Sequence, residues 1–241
     1  MSPAQQPPQG DVSVVMPVLN EAARIRTRLQ ELVALAGVRE VIVVDGGSSD
    51  GTLEILRSFD EGERVPVRLL RAERGRARQM NAGARVAEGP LLLFLHADTQ
   101  LPRDAARWVR RILGDPAVAL GAFRTRTVDD ASGRTRLWLR LADLRSRYSA
   151  VPYGDQALFM RKHDFEACGG YPDQPLMEDI ELSLALRRLG RVRTAPQEVR
   201  VSGRRFLAHP LRDTVLVNLF PLLYRLGVSP ERLAHWYADT R

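Results

Sequence analysis

The sequence predicts an α/β domain with a mostly parallel, Rossmann-like sheet and helices on both of its faces. Short apolar runs of strand length recur in the first 100 residues, apolar residues repeat at helical spacing between them, and turn-forming residues separate the two. The four runs are Asp11–Met16, Val41–Val44, Val67–Leu70 and Leu91–Leu95. Strands that alternate with helices in this way form parallel sheets, whose ligands bind at the carboxyl ends of the strands.

The elements of the first half can be assigned in order. The first strand is predicted to end at Pro17, and Asn20 to cap the next helix, with Glu21 in its first turn. The second strand ends in a loop from Asp45 to Thr52, in which Asp50 is expected to cap a short helix. A third helix is predicted from Gly75 to Ala87, before the fourth strand. The first helix carries apolar residues at helical spacing: Ile25, Leu29, Leu32 and Val33.

The second half is less regular. Two helices, Pro102–Leu113 and Glu178–Leu189, are expected, and Leu137 to Tyr148 suggest an Arg-rich amphipathic helix. The predicted strands are Val118–Arg124, Ala157–Met160 and short pieces at Val192 and Val199–Val201. We expect a loose tail over residues 1–10 and a single domain over 11–241. That domain comprises a nucleotide-binding half (11–100), an acceptor and catalytic half (101–210) and a helical extension (211–241).

Composition limits the class of protein. Of 241 residues, 44% are apolar and 27% charged, which suits a soluble globular protein with a core. The net charge is +7 and Lys162 is the only lysine, so the arginines reflect either codon bias or an attraction to anions. Cys168 is the only cysteine, which fits a cytoplasmic protein. An apolar stretch flanked by arginine, Val215 to Arg225, predicts peripheral contact with the inner face of the cell membrane.

Two acidic groups follow predicted strands. Asp45 precedes two glycines, and its carboxylate could accept hydrogen bonds from a ribose or a base, or could simply cap the following turn. The His96-Ala97-Asp98 group follows the fourth strand. Asp98 could hold a divalent cation that bridges a diphosphate, or could begin a turn. Because both groups fall at strand carboxyl ends, we expect them on one edge of the sheet.

Further candidates lie on predicted helices. Glu178-Asp179 opens a helix, where a carboxylate could take a proton from an acceptor hydroxyl or only cap the helix. Arg76 or Arg78 could reach phosphates or form a solvated basic face. His209 lies among late arginines and could be a further metal ligand or an ordinary packed histidine.

Together these segments resemble the family 2 glycosyltransferases of the GT-A fold. Five elements occur in that family's order over roughly residues 11 to 205. They are Val14–Glu21, Val43–Thr52, Gly75 with Asn81 and Gly83, Phe94–Asp98, and Glu178-Asp179.

The resemblance implies a role for each matching position. Asp98 would bind Mg²⁺ or Mn²⁺ with the diphosphate of a nucleotide-sugar, by default UDP-linked. Asp179 would be the general base of an inverting hexosyltransferase, with Glu178 beside it. The nucleotide would be bound by Pro17, Asn20, Glu21, Asp45, Gly46, Asp50, Arg76, Asn81, His96, Ala97 and Asp98.

The sequence departs from the family at two positions. The usual Asp-x-Asp is here His96-Ala97-Asp98, and Met80 stands before Asn81 where the family often has Arg. Three segments, Gly75–Asn81, Leu95–Thr99 and Tyr153–Gln156, resemble more closely a small bacterial subfamily labelled as arsenosugar-biosynthesis or carotenoid-carboxylate glycosyltransferases. The loop of Tyr153, Gly154, Asp155 and Gln156 would then lie on the side of the acceptor, a small molecule or lipid-like compound.

Two other functions are compatible with parts of the sequence. A non-catalytic nucleotide-sugar-binding module is suggested by the replaced carboxylate at position 96, but Glu178-Asp179 argues against it. A nucleic-acid binder is suggested only by charge. With 6% aromatic residues the chain lacks the interleaved rings of a stacking surface, so no nucleic-acid partner is expected.

Overall fold

The computed structural model describes residues 11–59, 65–128, 143, 146, 151–203 and 219–238. Within these residues, eight strands form one sheet in the order β3-β2-β1-β4-β7-β6-β8-β5. The strands are β1 (Val12–Val18), β2 (Val38–Asp45), β3 (Val67–Arg71), β4 (Leu91–Phe94), β5 (Thr99–Gln100), β6 (Val118–Val128), β7 (Phe159–Arg161) and β8 (Arg191–Ser202).

The helices alternate with the strands of the first half, as predicted. Those with defined bounds are α1 (Ala22–Val33), α2 (Thr52–Arg57), α3 (Arg76–Val86), α4 (Ala105–Leu113), α5 (Lys162–Ala167), α6 (Glu178–Leu189) and α7 (Pro230–Ala238). Residues 219–225 are also helical. Strands β1 to β4 pair in parallel, as do β6 and β8, whereas β7 and β5 are antiparallel to their neighbours. The predicted α/β class with a mostly parallel sheet is confirmed.

The two faces of the sheet bury different helices. Alternate residues of β1 pack with α1 and α4 on one face, whereas Val15 packs with α3 and α6 on the other. Gly83 brings α3 very close to the sheet, because a Cβ atom at this position would lie 2.4 Å from Cγ1 of Val15. Helices therefore cover both faces, as the sequence predicts.

Pro17 lies inside β1 and does not end it. β1 pairs with β4 only as far as Val15, whereas its pairing with β2 continues to Val18. The carbonyl of Val15 points to β4 and accepts from the Leu95 N–H. The nitrogen of Pro17, two residues later, also points toward the β4 side, but the pairing with β4 has already ended. The missing N–H of proline therefore removes no hydrogen bond from the sheet.

The second half also differs from prediction. β8 is one strand of 12 residues, where two short pieces were expected. Its register against β6 shifts between Ala122 and Arg124, which pair with Thr194 and Glu198, and this irregularity accommodates Pro196. The long β6–β8 pair is also parallel and is separated from strands β1 to β4 by β7.

Some predictions lie outside the described residues. Of the helix expected around Leu137 to Tyr148, only 143 and 146 are described, and both are helical. The Asp143 carboxylate accepts hydrogen bonds from the backbone N–H of Thr127 (2.9 Å) and from its hydroxyl (2.6 Å). Within the described parts of the chain, no helix has the length and apolar character needed to cross a bilayer.

Candidate active site

Three parallel strands end at one edge of the sheet, and the loops that follow them carry most of the predicted site. Val18 of β1 pairs with Asp45 of β2, and Val15 pairs with Phe94 of β4. Because β1 lies between β2 and β4, the Asp45 loop and the loop from His96 to Asp98 flank the end of β1. Both acidic groups thus lie on the edge where the ligands of such sheets bind.

Asp45 is fully buried and shapes its own loop. Its Oδ2 atom accepts hydrogen bonds from the backbone N–H of Gly47 (2.9 Å) and of Ser48 (3.2 Å). Gly47 has φ +94°, which favours glycine. The Asp45 carboxylate thus makes the contacts of a residue that caps its own turn, one of the two interpretations that the sequence allows.

Asn20 links the first loop to the second. Its φ is +56°, and its side-chain oxygen accepts from the Ser49 N–H at 2.9 Å. Its own N–H donates to the hydroxyl of Ser48 at 2.9 Å. The prediction that Asn20 caps α1 is therefore wrong. Its hydrogen bonds instead connect the loop after β1 to the loop after β2.

Asp50 caps two helices at once. Its carboxylate accepts from the Ala22 N–H of α1 (3.0 Å) and from the Thr52 N–H of α2 (3.1 Å). The hydroxyl of Thr52 also donates to it at 2.5 Å and is the main cause of its lowered pKa. Glu21 joins the same network, because its N–H donates to the Thr52 hydroxyl at 2.9 Å.

Helix α3 connects the two halves of the site through two residues on one face, Arg76 and Gln79. The buried side-chain amide of Gln79 donates to the carbonyls of Val18 (2.9 Å) and Val44 (2.7 Å), at the ends of β1 and β2. One turn earlier, Nη1 of Arg76 lies 3.3 Å from Oε1 of Glu178 on α6. The sequence alone assigned no role to Gln79, although this residue lies between Gly75 and Asn81, two of the positions that match the family.

Two other predicted residues of α3 face protein groups. The amide of Asn81 donates to the Tyr171 carbonyl (2.8 Å) and accepts from the Tyr171 N–H (3.0 Å). Arg78 pairs with Asp173 (2.9 Å) and Glu73 (2.8 Å). Asn81 therefore holds the loop before α6, and of the two arginines Arg76 is the one that contacts Glu178.

The predicted acceptor loop meets the predicted base. The Gly154 N–H donates to Oδ2 of Asp179 at 2.6 Å, and the ring of His96 lies against Gly154. Gln156 supports the loop, because its buried amide donates to the Phe123 carbonyl at 2.9 Å and accepts from the Tyr153 N–H at 3.1 Å. The structure thus brings β4, the loop and α6 together at one point.

Glu178 is a buried carboxyl group beside a cation. Burial raises its pKa to about 7, against the opposing effect of the Arg76 guanidinium. Among the described residues, its Oε1 has the ion pair with Arg76 but no hydrogen bond of good geometry, and the buried hydroxyl of Tyr171 has no hydrogen-bond partner. The charges of Asp179, Glu178 and Arg76 all act on that hydroxyl. Sequence reasoning missed Tyr171, whose aromatic ring is held between Phe94 and Phe165.

Asp98 offers a half-buried carboxylate, the type of ligand that would suit a cation arriving with a diphosphate. No three His, Cys, Asp or Glu side chains among the described residues form a metal site on their own. Mg²⁺, however, is usually held by one or two carboxylates together with substrate phosphates and water. Asp98 is half-buried beside Ala97, and its carbonyl accepts from the Ser202 N–H at 3.0 Å. His209, the other predicted ligand, lies outside the described residues.

Solved structures share this fold. The mannosyltransferase PcManGT from Pyrobaculum calidifontis, in complex with GDP-Man and Mn²⁺, matches with a TM-score of 0.70 and 23% identity over 95% of this chain and 69% of that one. TarS from S. aureus, in complex with UDP-GlcNAc, matches with a TM-score of 0.63 and 17% identity over 80% of this chain and 58% of that one. The fold is that of the GT-A class.

Sequence comparison identifies the family. The model of glycosyl transferase family 2 matches residues 13–170, and the chain belongs to that family. The undecaprenyl-phosphate 4-deoxy-4-formamido-L-arabinose transferase of Serratia proteamaculans is 27% identical over 231 residues, which cover 92% of this chain and 69% of that protein. The chain spans only 30 to 47% of the length of three other curated relatives.

Proposed function

We propose that the chain transfers a sugar, with inversion, from a UDP-linked nucleotide-sugar to an acceptor hydroxyl or carboxylate. The acceptor oxygen forms a bond to the anomeric carbon while the bond from that carbon to the diphosphate oxygen breaks. A hydroxyl acceptor gives its proton to Asp179. The observation that supports this most is the meeting of His96, Gly154 and Asp179, which places a carboxylate beside the edge of the sheet where nucleotides bind.

Different residues of the chain bind the nucleoside, the diphosphate and the acceptor proton in this proposal. The loops held by Asn20, Asp45 and Asp50 form the nucleoside side, with Pro17, Glu21 and Gly46 in the same segments. Arg76 supplies positive charge near the diphosphate, and Gly154 orients Asp179 through its N–H. A Mg²⁺ or Mn²⁺ ion bound at Asp98 would neutralise the negative charge that develops on the leaving diphosphate.

An Asp179→Asn variant tests the base. It should lower the transfer rate about 10²- to 10⁴-fold, the usual contribution of general-base catalysis. Binding of the nucleotide-sugar, measured as a rise in melting temperature, should persist. Asp115→Asn is the matched control, since it makes the same change at an exposed aspartate just after α4. Equal loss in both variants, or full activity in Asp179→Asn, would contradict the role of Asp179.

We also propose a lipid-like acceptor reached at a membrane surface. Leu219, Leu222 and Leu226 are exposed on one side of the helical segment 219–225 and the turn after it, and Trp236 is exposed on α7. Exposed Arg225 and Arg232 suit anionic headgroups. The matched Serratia relative is named for a lipid phosphate acceptor, which supports the same proposal.

A cavity of about 350 Å³, which has Glu181 and Arg225 in its lining beside apolar side chains, adjoins this surface. It lies between α6 and the segment before α7, and its lining includes Ile180, Leu184 and Val228. An acceptor's apolar portion would fit there, next to the helix that carries Asp179.

Co-sedimentation with anionic vesicles at low salt tests the surface. Wild-type protein should bind, and the double variant Leu222→Asp/Leu226→Asp should not. Leu189→Asp, which changes another exposed leucine, should bind as wild type does. If wild-type protein stays in the supernatant, the membrane proposal fails, whereas sugar transfer to a soluble acceptor is unaffected by that result.

A further inference from the structure

A small apolar cluster, here called the third cluster, is distinct from the two clusters that cover the faces of the sheet. Its buried members are Val151, Met177, Ile180, Phe220 and Leu233. None of these five belongs to either of the other two clusters. The third cluster joins the segment before the Gly154 loop, the start of α6, and the C-terminal helical pair, which consists of residues 219–225 and α7.

Both partners of the hydrogen bond between Gly154 and Asp179 adjoin the third cluster in the sequence. Met177 and Ile180, two of its buried members, stand on either side of Glu178-Asp179. Tyr153, the residue before Gly154, is half-buried and packs against the same cluster. The apolar contacts therefore lie next to the 2.6 Å bond that orients the Asp179 carboxylate.

Helix α6 is held from two sides. Leu182 packs with α3 on the face of the sheet, whereas Ile180 and Leu184 pack in the third cluster with the C-terminal helical pair. A polar contact adds to this second side, because the Tyr224 hydroxyl donates to Oε1 of Glu181 at 2.7 Å. The C-terminal helical pair is thus the outer support of the first turns of α6.

Met177 has an unfavourable backbone conformation directly before α6. Its φ is +66°, in the left-handed region that residues with a side chain rarely adopt. Its side chain is only 8% exposed and packs in the third cluster. Such a conformation persists where the surrounding structure determines it, and here the cluster supplies the contacts. Because Glu178 and Asp179 follow at once, the direction in which α6 begins depends on these contacts.

We propose that the C-terminal helical pair positions the base, and that Met177 is the positioning residue through which it acts. The inference rests on the proposed function for the role of Asp179. Packing of Phe220 and Leu233 in the third cluster keeps Met177 in its left-handed conformation. Asp179, two residues later, is thereby kept within reach of the Gly154 N–H.

Leu233→Ala tests the proposal from α7. The substitution truncates a fully buried side chain of the third cluster. Exchange of the Gly154 amide hydrogen in D₂O, followed by NMR, should become roughly tenfold faster, because its bond to Asp179 opens more often. Exchange of the Leu95 amide should stay within about twofold of wild type, since this N–H donates to β1 inside the sheet.

Leu29→Ala is the matched control, because it truncates an equally buried leucine of α1 in a different cluster. It should leave the ratio of the Gly154 rate to the Leu95 rate as it is in the wild type. An unchanged ratio in Leu233→Ala would overturn the proposal. The same change of ratio in both variants would also overturn it, since the effect would then follow from any loss of core packing.

Two variants of Met177 separate its side chain from its backbone, and they decide the question if Leu233→Ala does not fold. Met177→Gly accepts the left-handed conformation without strain but has no side chain to pack, so exchange at Gly154 should be as fast as in Leu233→Ala. Met177→Leu keeps an apolar side chain of similar size and should show the wild-type ratio. Wild-type exchange in Met177→Gly would overturn the proposal.

The exchange experiment needs no donor or acceptor, so its result is independent of the proposed function. In a transfer assay, Leu233→Ala should lower kcat about tenfold and leave the KM for the nucleotide-sugar unchanged, because a displaced base affects the reaction and not donor binding. A raised KM at wild-type kcat would contradict a positioning role. A chain that shows the exchange pattern but transfers no sugar would refute only the proposed function.

Discussion

The backbone N–H of Gly154 donates a hydrogen bond of 2.6 Å to Oδ2 of Asp179. The other oxygen of the same carboxylate accepts from the Ile180 N–H at 2.8 Å. Main-chain groups therefore fix both oxygens of Asp179, one from the next residue and one from Gly154, 25 residues earlier in the sequence. A carboxylate held in this way has one orientation in which to receive a proton.

Gly154→Ala should disturb this arrangement without unfolding the protein. The added methyl group would lie 3.0 Å from the His96 ring and 3.3 Å from Asp179, so both must shift by a few tenths of an ångström. We expect kcat to fall roughly 10- to 100-fold, because small misplacements of a catalytic group are costly. Steady-state kinetics measure this, and an unchanged nucleotide-induced rise in melting temperature is the control. Wild-type kcat would show that the close contact has no catalytic importance.

Gln79→Leu should weaken both the fold and the nucleoside side. The substitution removes the side-chain donor to two carbonyls, that of Val44 and that of Val18, of which Val18 keeps the Gly46 N–H. We expect a loss of about 2–4 kcal/mol in the free energy of unfolding, measured in urea, and weaker nucleotide binding. Gln100→Leu is the control, because its amide only reaches Glu31 and should change stability by about 1 kcal/mol or less. Similar losses in both variants would argue against a bridging role for Gln79.

The pH dependence of stability should report Glu178. Its pKa rises from 4.5 in the unfolded chain to about 7 in the fold, so the folded protein favours the protonated carboxyl. This contribution is fully present below pH 4.5 and is lost as the pH rises through 7. The free energy of unfolding of the wild type relative to Glu178→Gln should therefore fall by about 2 kcal/mol between pH 5 and 8. Parallel pH curves for the two proteins would contradict the buried-carboxyl assignment.

Removal of the Asp98 carboxylate should abolish the effect of the metal on nucleotide binding. We expect Mn²⁺ and UDP together to raise the wild-type melting temperature more than the two ligands added separately, because the cation bridges protein and diphosphate. In Asp98→Asn this extra rise should disappear, whereas in Asp115→Asn, a change at an exposed aspartate, it should remain. An undiminished effect in Asp98→Asn would place the metal elsewhere.

Much of the first half could be predicted because its signals are local. Apolar runs such as Val41–Val44 and the helical repeat that includes Ile25 and Leu29 each identify one element. Their alternation then predicts that the strands are parallel and that Asp45 and Asp98 share an edge. The sequence predicts too early an end for β1. Proline has no N–H, but the sequence does not show whether a neighbouring strand would have accepted a hydrogen bond at that position. Only the pairing limit at Val15 shows that Pro17 costs nothing.

The contacts within the site could not be predicted, because they join residues far apart in the sequence. The two hydrogen bonds of Asn81 to Tyr171 span 90 residues, and no spacing rule distinguishes such a contact from binding to a ligand. The same holds for Gln79, whose partners are carbonyl groups that every residue possesses. Side-chain type indicated which residues are polar and near the site, but not which of them hold the protein together.

The close seating of α3 on the sheet at Gly83 has a mechanical consequence. A helix that rests against Val15 without an intervening side chain can neither slide nor roll without a steric clash. Arg76 and Gln79, which both lie on α3, therefore keep fixed positions relative to each other and to the sheet. Any tightening of the site around a substrate would then require movement of the loops at the strand ends, because α3 keeps its position on the sheet.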